Sequence, residues 1–174
     1  MNAAGGAPRP PVALRVLGPD DADLVTALEA EVFAEDPWTP GMVAEELSAP
    51  MRHYVAAERD GQVLGYGGIT LGPDADIMTI GVREGERGAG VGGLLLGDLL
   101  TAARTAGSRR VFLEVRASNG AAQGLYAASG FRPIGRVRHY FRNPREDAVT
   151  MRLDLPATTG TAVAAGTDGP HLRA

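Results

Sequence analysis

The chain has 174 residues, 44% of them hydrophobic, with a formal net charge of −4; this suits one domain with a real core and excludes the broad basic surface of a non-specific nucleic-acid binder. Cysteine is absent, which excludes disulfides, thiolate metal ligands and a cysteine nucleophile. No run of about 18 apolar residues occurs and the first eleven residues hold no apolar h-region, so a soluble, monomeric cytoplasmic protein with no membrane or nucleic-acid partner is expected.

The first strand is predicted at Ala13 to Leu17, after a tail of Gly, Ala and Pro (residues 1–11) that lacks core-forming side chains and is expected to be disordered. Gly18-Pro19 breaks the strand, and Asp20 to Asp23 forms an acidic entrance to a helix carrying Leu24, Leu28, Val32 and Phe33. Thr39-Pro40 reads as an N-cap followed by proline at the first helical position of a short helix through Leu47. Two strands, Tyr54 to Ala57 and Val63 to Ile69, flank the hairpin signal Asp60-Gly61, and Asp76 to Val82 follows as a third. A helix from Val91 to Ala106 is predicted to bury Leu94, Leu95, Leu96, Leu99 and Leu100, with Gly107 closing it. Arg110 to Val115 is the next strand; a helix joins it to the strand at 76–82, so the two should run parallel. Ser118-Asn119 caps a helix from Gly120 to Ser129, and the strands Phe131 to Val137 and Ala148 to Leu153 enclose a polar loop, Arg142 to Asp147. The result is a three-layer α/β domain over residues 12–156, with a second tail, 157–174, expected to be disordered.

Between strand and helix lies Arg87-Gly88-Ala89-Gly90-Val91-Gly92. Glycines let consecutive backbone N–H groups converge where side chains would block approach, and the new helix adds unpaired donors and its positive dipole end. The segment reads as a cradle for a phosphate-bearing ligand. Gly88, Gly90 and Gly93 also satisfy the G-x-G-x-x-G dinucleotide fingerprint, and Glu114 follows at about the distance of a ribose-binding acid. A dinucleotide fold, however, places this turn after its first strand, whereas several strands precede it here. No G-x-x-x-x-G-K-[ST] string supports a P-loop.

The glycine turn matches [QR]-x-x-G-x-[GA], and Asn119-Gly-Ala-Ala-Gln-Gly-Leu125-Tyr126-Ala-Ala-Ser-Gly130-Phe131 resembles N-x-x-A-x-x-L-Y-x-x-x-G-F. Both are motifs of the GNAT superfamily of N-acetyltransferases, which the chain resembles from about Leu14 to Leu155. Leu113-Glu-Val-Arg-Ala-Ser-Asn119, Pro37-Trp38-Thr39 and Arg145-Glu-Asp-Ala148 are similar to the ribosomal-protein alanine N-acetyltransferases within it. The resemblance implies the GNAT fold, a mixed and mostly antiparallel sheet with a central parallel pair and helices on both faces. It implies acetyl-CoA as co-substrate, its pyrophosphate on the backbone of Arg87, Gly88, Ala89, Gly90, Val91 and Gly92, its pantetheine arm along Ile80, Gly81 and Val82, with Asn119 and Tyr126 also in contact.

Glu114 lies between Leu113 and Val115, so it faces away from both, toward a cleft or toward solvent. The resemblance makes it the general base for an amine whose pKa is about 8. Tyr126, nearly two helical turns after Asn119, is either a core tyrosine or, by the resemblance, the acid that protonates the departing thiolate. Asn119 is a helix cap, a cofactor contact, or both. Glu29, Glu31, Glu35, Asp36, Glu45 and Glu46 read either as solvated helix faces or as an attraction for a basic peptide. His53, His139 and His171 are not spaced as a metal site, and no metal is expected. The loop carrying Phe141 is shorter than in the subfamily and has phenylalanine where a second tyrosine is usual. The expected reaction is direct acetyl transfer to the N-terminal α-amine of a protein, an alanine-starting, basic ribosomal protein of the small subunit. Transfer to lysine or a small amine, and non-catalytic acyl-CoA sensing, are the alternatives.

Overall fold

The computed structural model describes residues 9–157. The two expected tails, apart from residues 9–11 and 157, lie outside it.

Seven strands form one sheet in the order β1-β2-β3-β4-β5-β7-β6. β1 (Ala13–Leu17) is followed by a 3₁₀ turn at Pro19–Asp21 and by α1 (Ala22–Val32) and α2 (Pro40–Ser48). The acidic residues expected to open the helix thus sit mostly in that turn, where Asp21 accepts from the Gly18 N–H at 2.9 Å. Thr39 caps α2 as predicted, its side chain accepting from the Met42 N–H at 3.3 Å. β2 (Arg52–Arg59) and β3 (Gln62–Thr70) turn at Asp60 and Gly61, both with positive φ (51° and 75°), as a tight hairpin requires.

β4 (Asp74–Val82), α3 (Val91–Thr105) and β5 (Arg110–Arg116) form the βαβ unit, and β4 and β5 are the sheet's parallel pair. Their ladder spans three pairs, Asp74 with Arg110, Ala75 with Val111 and Asp76 with Phe112. Beyond them β4 remains paired to β3 while β5 remains paired to β7 (Arg145–Asp154), so the middle of the sheet splays open.

Both faces of the sheet are covered, which is why β2 and β3 read as nearly continuous apolar runs. On one face, Leu17, Val25, Leu28, Val43, Leu47, Tyr54 and Tyr66 pack α1 and α2 onto the sheet. On the other, Val91, Leu95, Leu96, Leu99 and Leu100 of α3 meet Val55, Ile69, Val111 and Leu113. Leu94, predicted to be in that stripe, is 46% exposed, because positions 91, 95, 99 and 103 define the buried face and 94 falls off it.

α4 (Gly120–Ala128) and β6 (Arg132–Arg142) complete the chain. The polar loop expected at 142–147 is a tight hairpin instead: β6 runs to Arg142 and β7 begins at Arg145. Its polar side chains are used by distant partners, Glu146 by the Ser118 N–H and Asp147 by the His139 N–H, so these residues join the strand despite their type.

Candidate active site

The glycine turn enters α3 with Gly88 at φ 73° and Gly90, the N-cap, at φ 86°. Both positions disfavour any residue with a side chain. The first helical bond is donated by Leu94 to the Gly90 carbonyl at 3.1 Å, so the N–H groups of Val91 to Gly93 precede the helical ladder. A Cβ at Gly88 or Gly90 would meet no protein atom within 4 Å, so the turn is open there, and unpaired donors at a helix entrance suit a diphosphate. Gly92 answers to packing as well, since a Cβ there would lie 3.3 Å from Leu125 of α4. Arg87 turns its side chain back, Nε donating to the Val82 carbonyl at 3.1 Å.

The second edge of Ile80 to Val82 has no strand beside it, because the β4–β5 ladder ends at Asp76 and Phe112. An extended ligand arm can therefore pair with this backbone. Gly81 lets α1 close over β4: a Cβ there would lie 2.8 Å from the Phe33 ring and 2.9 Å from Val32.

Where the strands part, a cavity of about 690 Å³ opens. Glu114 of β5 and Asp76 and Met78 of β4 line it from the sheet, Asp36 and Trp38 from the α1–α2 connection, and Tyr140, Phe141 and Arg142 from the end of β6. Leu113 and Val115 are buried while Glu114 is exposed into this space, which settles the choice posed by strand alternation in favour of a cleft. Desolvation first, and then the charge of Asp76, raise the Glu114 carboxyl above its ordinary range. Asp76 is raised as well, by desolvation and by Asp74. Tyr140 is raised by desolvation, Glu114 and Asp76.

Tyr126 does not line this cavity. It is 8% exposed, stacks edge-on against Phe131 with ring centroids 5.8 Å apart, and burial pushes its hydroxyl up to about 12. Asn119 caps α4, its side chain accepting from the Ala122 N–H at 3.1 Å.

Glu29 departs from both readings of the acidic cluster. It is 2% exposed and accepts hydrogen bonds from the Trp38 N–H at 2.7 Å and from the Tyr66 hydroxyl. Glu46 accepts from Tyr54 and Arg52, and Glu31 pairs with Arg83. Asp36 alone of the six lines the cavity. His53 bonds Asp98 at 2.7 Å, His139 lies 3.8 Å from Asp147, and among the described residues no group of three or more His, Asp or Glu could hold a metal. No helix among the described residues is long and apolar enough to cross a membrane.

Asp76, Trp38 and Tyr140 were not expected as site residues from the sequence, and Asp36 was expected only as one member of the acidic cluster. Asp76 had a local signal, alternating with the buried Ala75 and Ile77 as Glu114 does with its neighbours. The others reach the cavity through loops and a strand end, where no period marks a face.

A sheet that splays beside a glycine-rich helix entrance, with a carboxylate in the opening, fits the class of acyl-coenzyme A-dependent transferases. The chain belongs to the acetyltransferase (GNAT) family, whose model matches residues 23–131. It is 41% identical to the N-alpha-acetyltransferase RimI of Mycobacterium tuberculosis over 150 residues, 83% of this chain and 93% of that protein. It is 37% identical to a putative [ribosomal protein bS18]-alanine N-acetyltransferase of Bacillus subtilis, across 82% of this chain and 95% of the relative. Among solved structures, the ribosomal-protein-S18-alanine N-acetyltransferase of Escherichia coli superposes with a TM-score of 0.77 at 25% identity, covering 88% of this chain and 99% of that one.

Proposed function

We propose that residues 12–156 form an acetyltransferase domain that moves an acetyl group from acetyl-CoA to the N-terminal α-amine of a protein, the N-terminal alanine of a small-subunit ribosomal protein being the acceptor. The observation that carries this reading is Glu114, a carboxylate of raised pKa set in an acid-lined cavity where β4 and β5 separate. The relatives, one named an N-alpha-acetyltransferase and the other a putative [ribosomal protein bS18]-alanine N-acetyltransferase, support the acceptor class.

The backbone of Arg87, Gly88, Ala89, Gly90, Val91 and Gly92 receives the diphosphate, and Ile80, Gly81 and Val82 pair with the pantetheine arm, with Asn119 at its side. Asp36, Asp76 and Glu114 attract the peptide's ammonium group. Glu114 removes a proton so that the nitrogen lone pair can attack the thioester carbonyl directly, without an acetyl-enzyme. Tyr126 donates its hydroxyl proton to the departing sulfur. A pKa of about 12 keeps the phenol protonated at neutral pH, so its proton is available to the sulfur, and surroundings that disfavour phenolate also disfavour a free thiolate. The protein acts in this reading as a cytoplasmic monomer without a metal.

The test offers acetyl-CoA with peptides starting in Ala, Ser or Met and with N-blocked lysine peptides, and locates the added mass by fragmentation. The α-amine of the Ala peptide is expected to carry it. Glu114→Gln and Tyr126→Phe should each lower kcat by about 10²–10⁴-fold while acetyl-CoA affinity holds. Modification solely at lysine would remove the assignment to protein N-termini, and full turnover by Glu114→Gln would remove its role as base.

A further inference from the structure

Arg116 and the Arg145-Glu-Asp-Ala148 stretch carry much of the resemblance to alanine N-acetyltransferases, yet neither has a part in the chemistry just described. The structure gives them a shared one. Arg116 is the last residue of β5 and stands two residues after Glu114, so both side chains emerge from the same face of the strand. Its guanidinium donates to the carbonyls of Pro144 at 3.0 Å and Asn143 at 2.9 Å, the two residues that turn the β6–β7 hairpin. It also lies 4.3 Å from the centre of the Phe141 ring and 3.4 Å from Glu146 Oε2. The other Glu146 oxygen accepts from the Ser118 N–H at 2.6 Å, just ahead of α4. From the hairpin's far side, Asn143 Nδ2 donates to the Glu35 carbonyl at 2.5 Å, in the α1–α2 connection that brings Asp36 and Trp38 to the cavity.

These bonds form a continuous frame around the opening that Glu114 occupies. Two carbonyls and one aromatic face meet a single planar fork, an arrangement lysine cannot reproduce. Tyr140, Phe141 and Arg142, at the end of β6 beside the hairpin turn, line the same cavity as Glu114. We infer that Arg116 is a positioning residue for the acceptor: it fixes the β6–β7 hairpin and, through Asn143, the α1–α2 connection at the separation that the incoming peptide fits. The inference rests on the acetyl transfer proposed above. Arg116 touches neither reacting group, and its partners include neither the glycine turn nor Ile80 to Val82, so its removal alters how the acceptor is held and leaves those acetyl-CoA contacts as they were.

Steady-state kinetics of Arg116→Gln, Arg116→Lys and Asn143→Ala, varying peptide and acetyl-CoA in turn, test this. Arg116→Gln is expected to raise the peptide KM by about tenfold or more while the acetyl-CoA KM stays within about twofold, with Arg116→Lys restoring only part. Asn143→Ala keeps the backbone carbonyl that Arg116 grips and loses only the tie to Glu35, so it should raise the peptide KM without moving the acetyl-CoA KM. An unchanged peptide KM in Arg116→Gln, or a parallel rise in both constants, overturns the inference; should that variant fail to fold, an unchanged peptide KM in Asn143→Ala overturns it. If wild-type protein acetylates lysine peptides alone, the N-terminal assignment fails, and the same comparison made with the lysine peptide still decides the role of Arg116.

Discussion

At the scale of single residues, the pairing of Glu114 with Asp76 sets the pH at which the site works. Both carboxylates face the cleft, and each is harder to ionise than in water: Glu114 through desolvation and the charge of Asp76, Asp76 through desolvation and the charge of Asp74. A base must be ionised to accept a proton, so kcat/KM should fall as pH drops through the raised Glu114 value. Asp76→Asn removes the like charge and lowers that value, so the acid limb of the kcat/KM profile should move to lower pH. The same substitution also removes one attraction for the ammonium group, raising the peptide KM. A pH–rate profile of both proteins separates the two effects, and an acid limb that stays in place would show that Glu114 is raised by burial alone. Tyr126 makes no titration step in the neutral range, because burial holds its hydroxyl near 12.

At the scale of elements, Glu29 shows why a helix in this protein ends where it does. Positions 25, 28, 29 and 32 share one face of α1, and the carboxylate among them reaches past the helix end to hold the Trp38 N–H and the Tyr66 hydroxyl. Burial raises its pKa. Its folded-state value therefore lies above its unfolded one, so the protonated form stabilises the fold and that contribution is lost as pH rises from the ordinary carboxylate range through the raised value. Glu29→Ala leaves a backbone donor and a hydroxyl unpaired beside a cavity and should cost about 2–4 kcal/mol. Glu29→Gln can accept from Trp38 and donate to the Tyr66 oxygen while carrying no charge, so denaturant unfolding should place it near wild type and flatten the pH dependence of stability. A destabilisation equal to that of alanine would mean the charge itself is needed. Helical spacing alone already put residue 29 with Val25 and Leu28; its acidic type is what pointed to solvent. The β6–β7 hairpin was hidden for a different reason: its ladder is local, Phe141 with Glu146 and Arg142 with Arg145, but the partners that take up the Glu146 side chain, Ser118 and Arg116, lie nearly 30 positions away, and no window of local sequence contains them.

At the scale of the whole molecule, the order of elements was legible because the helices carry their period, the strands an alternation or an apolar run, and many boundaries a Gly, Pro or capping residue. What periodicity cannot express is the distance between neighbouring strands. The splay of β4 from β5 after three ladder pairs creates both the free backbone edge at Ile80 to Val82 and the cavity at Glu114, and it couples ligand binding to the stability of the domain. Anything that binds the native state alone adds RT ln(1 + [L]/Kd), about 2.7 kcal/mol at a hundred times Kd. For a domain of this size that is a rise in Tm of roughly 5–10 °C with acetyl-CoA. Gly90→Ala isolates the contribution of the turn. A Cβ at Gly90 meets no protein atom, so its cost to the free protein is confined to the positive φ of 86°, about 1 kcal/mol. The methyl group does enter space left open at the turn, where, in the proposed binding, a diphosphate would have to approach. Thermal melting should show a small drop in Tm without ligand and a ligand-dependent increment that largely disappears. An increment equal to that of wild type would place the diphosphate elsewhere, and the glycines of this turn would then serve only to bring α3 onto the sheet.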